Sequence, residues 1–206
     1  MEEPRIIAGY VIGRSFRIGG KEVAMGINEK NENPYMVCTF VHNPLVGVDL
    51  PEQAVAGNDY LEMVQEFTDR IEAETLRLRD IRAMRESRGV NLNLVLSAAD
   101  CIPGSRSADY AGQVLVIDPQ RLAPEYRDNS NQIVYATHGN GCNPNGHGTS
   151  VFVHNVYTNE TERWSRAAVL GVIQPERMPE WAKERLQVIR QEIAAQREKR
   201  RSEPVR

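Results

Sequence analysis

The chain has 206 residues, of which 41% are hydrophobic and 26% are charged, and its formal net charge is −3. This composition is typical of a globular protein, and it excludes an intrinsically disordered chain and a domain with a uniformly basic, nucleic-acid-binding surface. The sequence contains no long apolar run, so we expect neither a signal peptide nor a membrane-spanning helix.

The first half of the chain reads as an antiparallel meander followed by a loop. Ile6–Ile18 and Glu22–Ile27 are rich in β-branched residues, and the Gly19-Gly20 pair between them predicts a tight hairpin turn. Tyr35–Val41 predicts a third strand, and short turns between such runs favour antiparallel pairing. His42–Gly57 contains two prolines and predicts a loop that leads into a helix.

A long helix is predicted over about 59–88. Asp59 is a natural N-cap, Glu62 three residues later completes a capping box, and Gly89 is suited to the C-terminal stop. The pattern has one lapse near Glu74. Apolar residues otherwise recur near the helical period, at Leu61, Val64, Phe67, Ile71, Leu78 and Ile81.

The second half of the chain predicts further strands and a terminal helix. The helix covers about 179–196, with Pro179 at its first position. Residues 98–111 and 121–131 read as connecting loops. The predicted strands are Asn91–Ser97, Gln113–Ile117 (a central strand), Gln132–Ala136, Ser150–Tyr157 and Ala168–Ile173.

These elements predict a single α+β domain over residues 1–196, in which an antiparallel-rich sheet is packed by the long helix and closed on one side by the terminal helix. Residues 197–206 are expected to form a frayed basic tail. The charge is uneven, because residues 183–206 hold eight Lys and Arg against four Glu. Such a tail could contact nucleic acid or an acidic partner, although a solvated helix end is the more common meaning.

The loop between the strands at 132–136 and 150–157 is the richest in chemistry. Residues 136–149 hold four glycines together with His138, Cys142 and His147. Loops on a rigid scaffold often carry binding groups, so Gly139, Asn140, Gly141 and Cys142 are candidate binding residues. Two more candidates, Arg163 and Trp164, lie in the basic and aromatic cluster Arg163–Arg166.

Three interpretations of His138, Cys142 and His147 stay open. They could bind zinc, with Cys101, His154 or Asp100 as a fourth ligand, although paired ligand motifs are absent and no cofactor is our main expectation. Cys142 could be a nucleophile activated by either histidine, with Asp100 or Asp118 orienting the imidazole. The third interpretation is structural: the glycines allow tight turns, and a buried cysteine behaves as a small apolar residue.

The three cysteines, Cys38, Cys101 and Cys142, are an odd number without a CxxC pair. This usage is typical of reduced thiols in a cytosolic protein. We therefore expect a cytoplasmic location and no membrane partner.

Residues 112–186 resemble uncharacterised accessory proteins of bacterial phages and conjugative elements. The resemblance implies an intracellular mobile-element setting but no assigned chemistry. Those proteins usually have a glycine at the position of His138, which favours Cys142 as the residue with a functional or packing requirement. The matching residues are Pro124–Arg127, Asn131-Gln132, the Ala-Thr-x-Gly-x-Gly-Cys run at 136–142, Arg163-Trp164 and Met178–Ala182.

The sequence therefore predicts a non-enzymatic protein that binds and modulates a host protein or nucleoprotein, with counter-defence among the roles that this setting suggests. An acidic body suits a basic target groove. The first alternative is a small Cys/His enzyme or zinc protein that uses the 136–149 loop. The second is nucleic-acid binding through the basic C-terminal tail.

Overall fold

The computed structural model describes residues 4–43 and 48–202. Its contacts divide the chain into two compact units, Met1–Ala83 and Met84–Arg206, and each unit contains its own antiparallel sheet. The α+β class is confirmed, with two sheets where we expected one. Whether residues 1–196 fold as one domain stays a prediction.

The sheet of the first unit is a five-stranded meander. Its pairs are all antiparallel, which confirms the arrangement expected from the short turns. The single run expected from Ile6 to Ile18 is broken at Ala8 and Gly9, where positive φ angles of 47° and 85° form a turn. The strands, in spatial order, are β1 (Ile6–Ile7), β2 (Tyr10–Ile18), β3 (Lys21–Ile27), β4 (Tyr35–Asn43) and β5 (Val48–Gly57).

The loop expected over His42–Gly57 is wrong for most of its length, because Val48–Gly57 forms β5 and pairs with β4. Pro51 favoured a loop in the sequence. However, β5 is an edge strand, and such strands tolerate proline because one row of their N–H groups joins no ladder. The other proline, Pro44, lies outside the described residues.

The predicted long helix is confirmed as α1, Tyr60–Ser87. The Asp59 carboxylate accepts the backbone N–H groups of Leu61 at 2.8 Å and Glu62 at 3.0 Å, as an N-cap should. Gly89 follows the helix with a φ of 79°. The apolar face of α1 packs on the first sheet, with Met63, Val64, Phe67 and Ile71 against Val23, Met25 and Val37.

The lapse in the apolar pattern at Glu74 is a buried ion-paired site. The Glu74 side chain is only 6% exposed, and its carboxylate lies 3.1 Å from Lys21 Nζ on β3. Arg77, one turn later, donates to the same carboxylate. Burial raises the pKa of Glu74, but the hydrogen bonds and charges of Arg77 and Lys21 more than offset it, so the pKa lies below its ordinary value.

The sheet of the second unit has six strands, and every neighbouring pair is antiparallel. The expected central strand is confirmed as Val114–Ile117, which lies between two neighbours. The strand at Thr161–Ser165 was not predicted. In spatial order the strands are β10 (Thr161–Ser165), β9 (Ser150–Asn155), β8 (Ile133–His138), β7 (Val114–Ile117), β11 (Val169–Ile173) and β6 (Cys101–Pro103).

The strand predicted over Asn91–Ser97 is wrong, since this segment has one turn at Leu92-Asn93 and is otherwise irregular. The buried amide of Gln132 accepts the N–H of Leu96 at 2.8 Å and donates to its carbonyl at 2.9 Å. A side chain therefore provides the hydrogen bonds that a neighbouring strand would otherwise give to this backbone. Gln132 belongs to a short helix, α2 (Asn129–Gln132).

The terminal helix α3 spans Glu180–Ser202, so it continues beyond the expected end near 196 into the segment expected to fray. Its buried residues pack on one face of the second sheet together with Val114 and Val116 of β7. Leu115 and Ile117 point to the opposite face, where the loop after β8 covers them. Within the described ranges, no helix is long and apolar enough to cross a membrane.

Candidate functional site

The glycine-rich segment is a loop between paired strands, as the sequence predicted. It joins β8 to β9, which pair in antiparallel register. The side chains of Asn140, Asn143, Asn145 and His147 are exposed, whereas Gly141 and Cys142 are buried. The loop is therefore a surface feature with a buried base.

The Arg166 side chain joins the glycine-rich loop to a second loop, which precedes β7. Arg166 donates to the carbonyl oxygens of Gly141 and Asn143 in the loop, and to those of Ser105 and Ala108 in the segment before β7. Its guanidinium also lies 4.2 Å from the ring centroid of Tyr110. A planar guanidinium spreads five donors over three nitrogens, whereas a lysine ammonium has three donors on one atom, so arginine can reach more widely separated carbonyls.

Backbone hydrogen bonds join the same two segments. Tyr110 N donates to Cys142 O at 2.9 Å, and Asn145 N donates to Arg106 O at 2.9 Å. The loop also bonds to its own exit, since Gly141 N donates to Ser150 O at 2.8 Å. These bonds hold the loop in one shape.

The glycines allow this close packing. A Cβ atom at Gly141 would lie 2.5 Å from the carbonyl oxygen of Thr149, which is closer than any real contact of that kind. Gly139 has a φ of 116° and its missing Cβ would meet the carbonyl oxygen of Ser150. Both positions therefore require glycine for sterics and, at Gly139, also for conformation.

Cys142 is a packed thiol at the base of the loop. It is 1% exposed among Leu115, Val134 and Val151, and its Sγ donates to the carbonyl oxygen of His138 at 3.0 Å. Burial raises the pKa of the thiol, helped by the charge of nearby Asp109 and opposed by Arg166. A nucleophilic cysteine needs a lowered pKa, so the geometry gives no support to that role.

The two histidines of the loop do not meet at Cys142. The His138 ring stacks on Phe152 at 4.7 Å between centroids, and its Nδ1 lies 2.9 Å from Thr137 Oγ1. His147 is exposed. Across the described residues, no group of three His, Cys, Asp or Glu side chains could hold a metal ion.

The residues that could have completed a zinc or catalytic site in the loop make contacts elsewhere. The Asp100 carboxylate accepts the N–H and the hydroxyl of Ser97, both at 2.9 Å. Burial raises the pKa of the Cys101 thiol to about 11. Asp118 accepts the N–H of Gln120, and His154 Nδ1 lies 3.1 Å from Asn159 Oδ1.

Arg163 and Trp164 lie on β10, the strand at one edge of the second sheet. Trp164 is half-buried opposite Val151, and its Nε1 donates to Glu162 at 2.7 Å, so its main contacts are within the sheet. Arg163 is exposed and lies opposite Phe152. Since opposite residues share a face, Arg163, Phe152 and the stacked His138 form one continuous surface.

The outer edge of β10 has free backbone groups. Asn155 N donates to Glu160 O and Arg166 N donates to Thr149 O, so the even-numbered residues on the β10 side of this hairpin direct their backbone groups towards β9. The N–H and C=O groups of Thr161, Arg163 and Ser165 therefore point away from the sheet. These three residues are exposed, and no strand in the described parts of the chain pairs with them.

The structure thus brings together the glycine-rich loop and the Arg163-Trp164 pair, because the loop lies at the Ser165 end of β10. Arg166 links them: its backbone closes the β9–β10 hairpin and its side chain holds the loop. The sequence placed Arg166 only in a basic cluster, since its acceptors are distant backbone carbonyls that carry no residue signature. Comparison with protein-family models, curated proteins and solved structures finds no match to this chain.

Proposed function

We propose that this chain is a non-enzymatic binding protein whose partner adds an antiparallel strand to the outer edge of β10. The observation that carries the proposal is the row of unpaired backbone groups on Thr161, Arg163 and Ser165. Such an edge is a template for an extended segment of another protein.

The neighbouring loop supports this proposal because it is already ordered. Arg166 and the bonds from Tyr110 and Asn145 fix its shape, so little conformational entropy is lost when a partner contacts it. Its exposed amides, on Asn140, Asn143 and Asn145, offer donors and acceptors beside the end of the edge. The fixed loop would therefore add contacts to those of the strand.

The chemistry of the edge restricts the partner. Three outward-facing residues can make up to six backbone hydrogen bonds, which contribute about 1 kcal/mol each and do not distinguish one sequence from another. Specificity must come from side chains. Arg163 favours a carboxylate, and the stacked His138 and Phe152 rings favour an apolar or aromatic residue on the same face.

The charged edge also limits self-association. β10 has five residues, and Arg163 is central and exposed. Short edge strands with a charged residue resist pairing with their own copies, since like charges would face each other. A partner strand with an acidic residue would not meet this repulsion.

The biological setting is part of the proposal. The resemblance of residues 112–186 to phage and conjugative-element accessory proteins supports a modulator of a host protein or nucleoprotein in the cytoplasm. The three cysteines are free and buried, and this is compatible with a reducing compartment. Within this proposal, catalysis by Cys142 and zinc binding by the loop have no part.

An unbiased library of displayed 12-residue peptides, selected on the purified full chain, tests the proposal. We expect enrichment of extended, β-branched sequences with Asp or Glu at an alternate position. Arg163→Pro should abolish the selection, because the proline removes an outward N–H without breaking the ladder to β9. Arg163→Ala keeps that N–H and should weaken only the acidic preference. Equal selection by wild type and Arg163→Pro would contradict the proposal.

A further inference from the structure

A cluster of polar side chains lies in the second unit, Met84–Arg206, away from the glycine-rich loop. Among the described residues, five buried side-chain nitrogen or oxygen atoms have no hydrogen-bond partner. An unpartnered buried donor or acceptor costs about 1–3 kcal/mol, so most such atoms in proteins are satisfied. The five atoms are Arg85 Nε, Asn129 Oδ1, Tyr157 OH, Trp181 Nε1 and Arg185 Nε.

Three of these residues, Arg85, Tyr157 and Trp181, are far apart in sequence but have side chains in contact. Arg85, in the last turn of α1, lies 5.2 Å from the centroid of the Tyr157 ring, and the Tyr157 and Trp181 rings are 5.8 Å apart. Arg185 follows Trp181 by one turn of α3, so both side chains leave the same face of that helix. Asn129 begins α2, directly after the Asp128 that faces Arg85.

Donors outnumber acceptors in this cluster. The Nε atoms of Arg85 and Arg185 and the indole Nε1 of Trp181 can only donate. The Tyr157 hydroxyl can donate or accept, and Asn129 Oδ1 can only accept. These groups cannot satisfy one another, because three obligate donors face at most two acceptors.

The cluster also has an excess of positive charge. Asp128 lies 3.7 Å from Arg85, so one carboxylate offsets one guanidinium. Three polar groups of residues 130 and 131 already use the Asp128 carboxylate, namely Ser130 N, Ser130 Oγ and Asn131 Nδ2. Arg185 is half-buried and has no ion pair with a described residue, so the described charges of the cluster sum to a positive value.

We infer that this cluster binds a small oxyanion, with Arg185, Trp181, Tyr157 and Arg85 as its donors. The unprotonated oxygens of a phosphate or sulfate ion accept hydrogen bonds from these donors, and the ion supplies negative charge. A water molecule would satisfy a donor but would bring two further O–H groups that need acceptors. The donor excess therefore favours an anion over water.

Trp181 provides a direct test. The chain has two tryptophans, so Trp164→Phe leaves Trp181 as the single indole reporter beside the cluster. Inorganic phosphate is titrated into this variant of the full chain at constant ionic strength, with chloride in the parallel arm. We expect a saturable change in Trp181 fluorescence and a rise in Tm with phosphate but not with chloride.

A matched pair of substitutions assigns the effect to the cluster. Arg185→Met should weaken phosphate binding by about tenfold or more, because charge-assisted hydrogen bonds contribute that much. Arg190→Met removes the same charge from an exposed position on the same helix and should leave the affinity unchanged. If Arg185→Met does not fold, the titration of Trp164→Phe still decides the question. No saturable response in that variant, or an equal loss with Arg190→Met, would overturn the anion site.

Discussion

The guanidinium of Arg166 lies over the ring of Tyr110, 4.2 Å from its centroid, while the same group donates to carbonyls of two separate loops. This relationship makes Arg166 the main link between the glycine-rich loop and the segment before β7. The same contacts stabilise this conformation of a loop that holds four glycines. The proposed binding edge of β10 begins next to this link.

We expect Arg166→Lys to loosen the loop even though it keeps the charge. A lysine ammonium cannot reach the same spread of carbonyls, so some of them lose their donor, at a cost of about 2 kcal/mol. Hydrogen exchange of residues 139–149 should accelerate, and denaturant unfolding should show the lower stability. Arg163→Lys, on the exposed side of β10, is the control and should change neither quantity.

Gly141→Ala should destabilise the protein by about 2–4 kcal/mol, because its Cβ would lie 2.5 Å from Thr149 O. Gly13→Ala is a matched control, since a Cβ at Gly13 meets nothing within 4 Å. Urea unfolding of both variants makes the comparison. Equal stability of the two variants would mean that the loop can shift to accommodate a side chain.

Cys142 should resist alkylation in the folded protein. Burial and the charge of Asp109 raise the pKa of its thiol, so the thiolate is scarce at neutral pH and also inaccessible. Iodoacetamide at pH 7 should label Cys142 only after denaturant is added, as mass spectrometry of the peptide would show. Rapid labelling of the native protein at mildly acidic pH would restore the nucleophile hypothesis.

The ion-paired Glu74 predicts a particular pH dependence of stability. Although burial raises the pKa of Glu74, the hydrogen bonds and charges of Arg77 and Lys21 lower it by more, so the folded pKa lies below its ordinary value of 4.5. The contribution of Glu74 is therefore fully present above pH 4.5 and is lost as the pH falls through the folded pKa. Glu74→Gln should cost about 2 kcal/mol at pH 7 and flatten the stability curve below pH 4.5. Parallel curves for wild type and variant would contradict this assignment.

Sequence patterns correctly predicted the elements that are determined by residues within the same segment. The helix over 59–88 follows from the Asp59 cap, the apolar period and the Gly89 stop, and all three lie within the segment itself. The loop at 136–149 was placed correctly because strand-forming runs flank a turn-rich segment. These features need no knowledge of distant residues.

Two of the errors in the sequence interpretation come from partners that are distant along the chain. The strand β5 contains Pro51 and depends on pairing with β4, and the irregular backbone at Leu96 depends on Gln132, 36 residues later. Arg166 bonds to carbonyls 23 to 61 residues away. A backbone carbonyl has no residue identity, so no motif could have revealed this contact.

Residue-specific amide exchange on the complex with a selected peptide tests the proposed strand addition most directly. Because Thr161, Arg163 and Ser165 are the residues of β10 that direct their N–H groups outwards, the peptide should slow exchange at these three residues. Glu162 and Trp164, already bonded to β9, should change little. New protection that alternates in this way would support strand addition at β10. Protection confined to another surface, with Thr161, Arg163 and Ser165 unchanged, would contradict it.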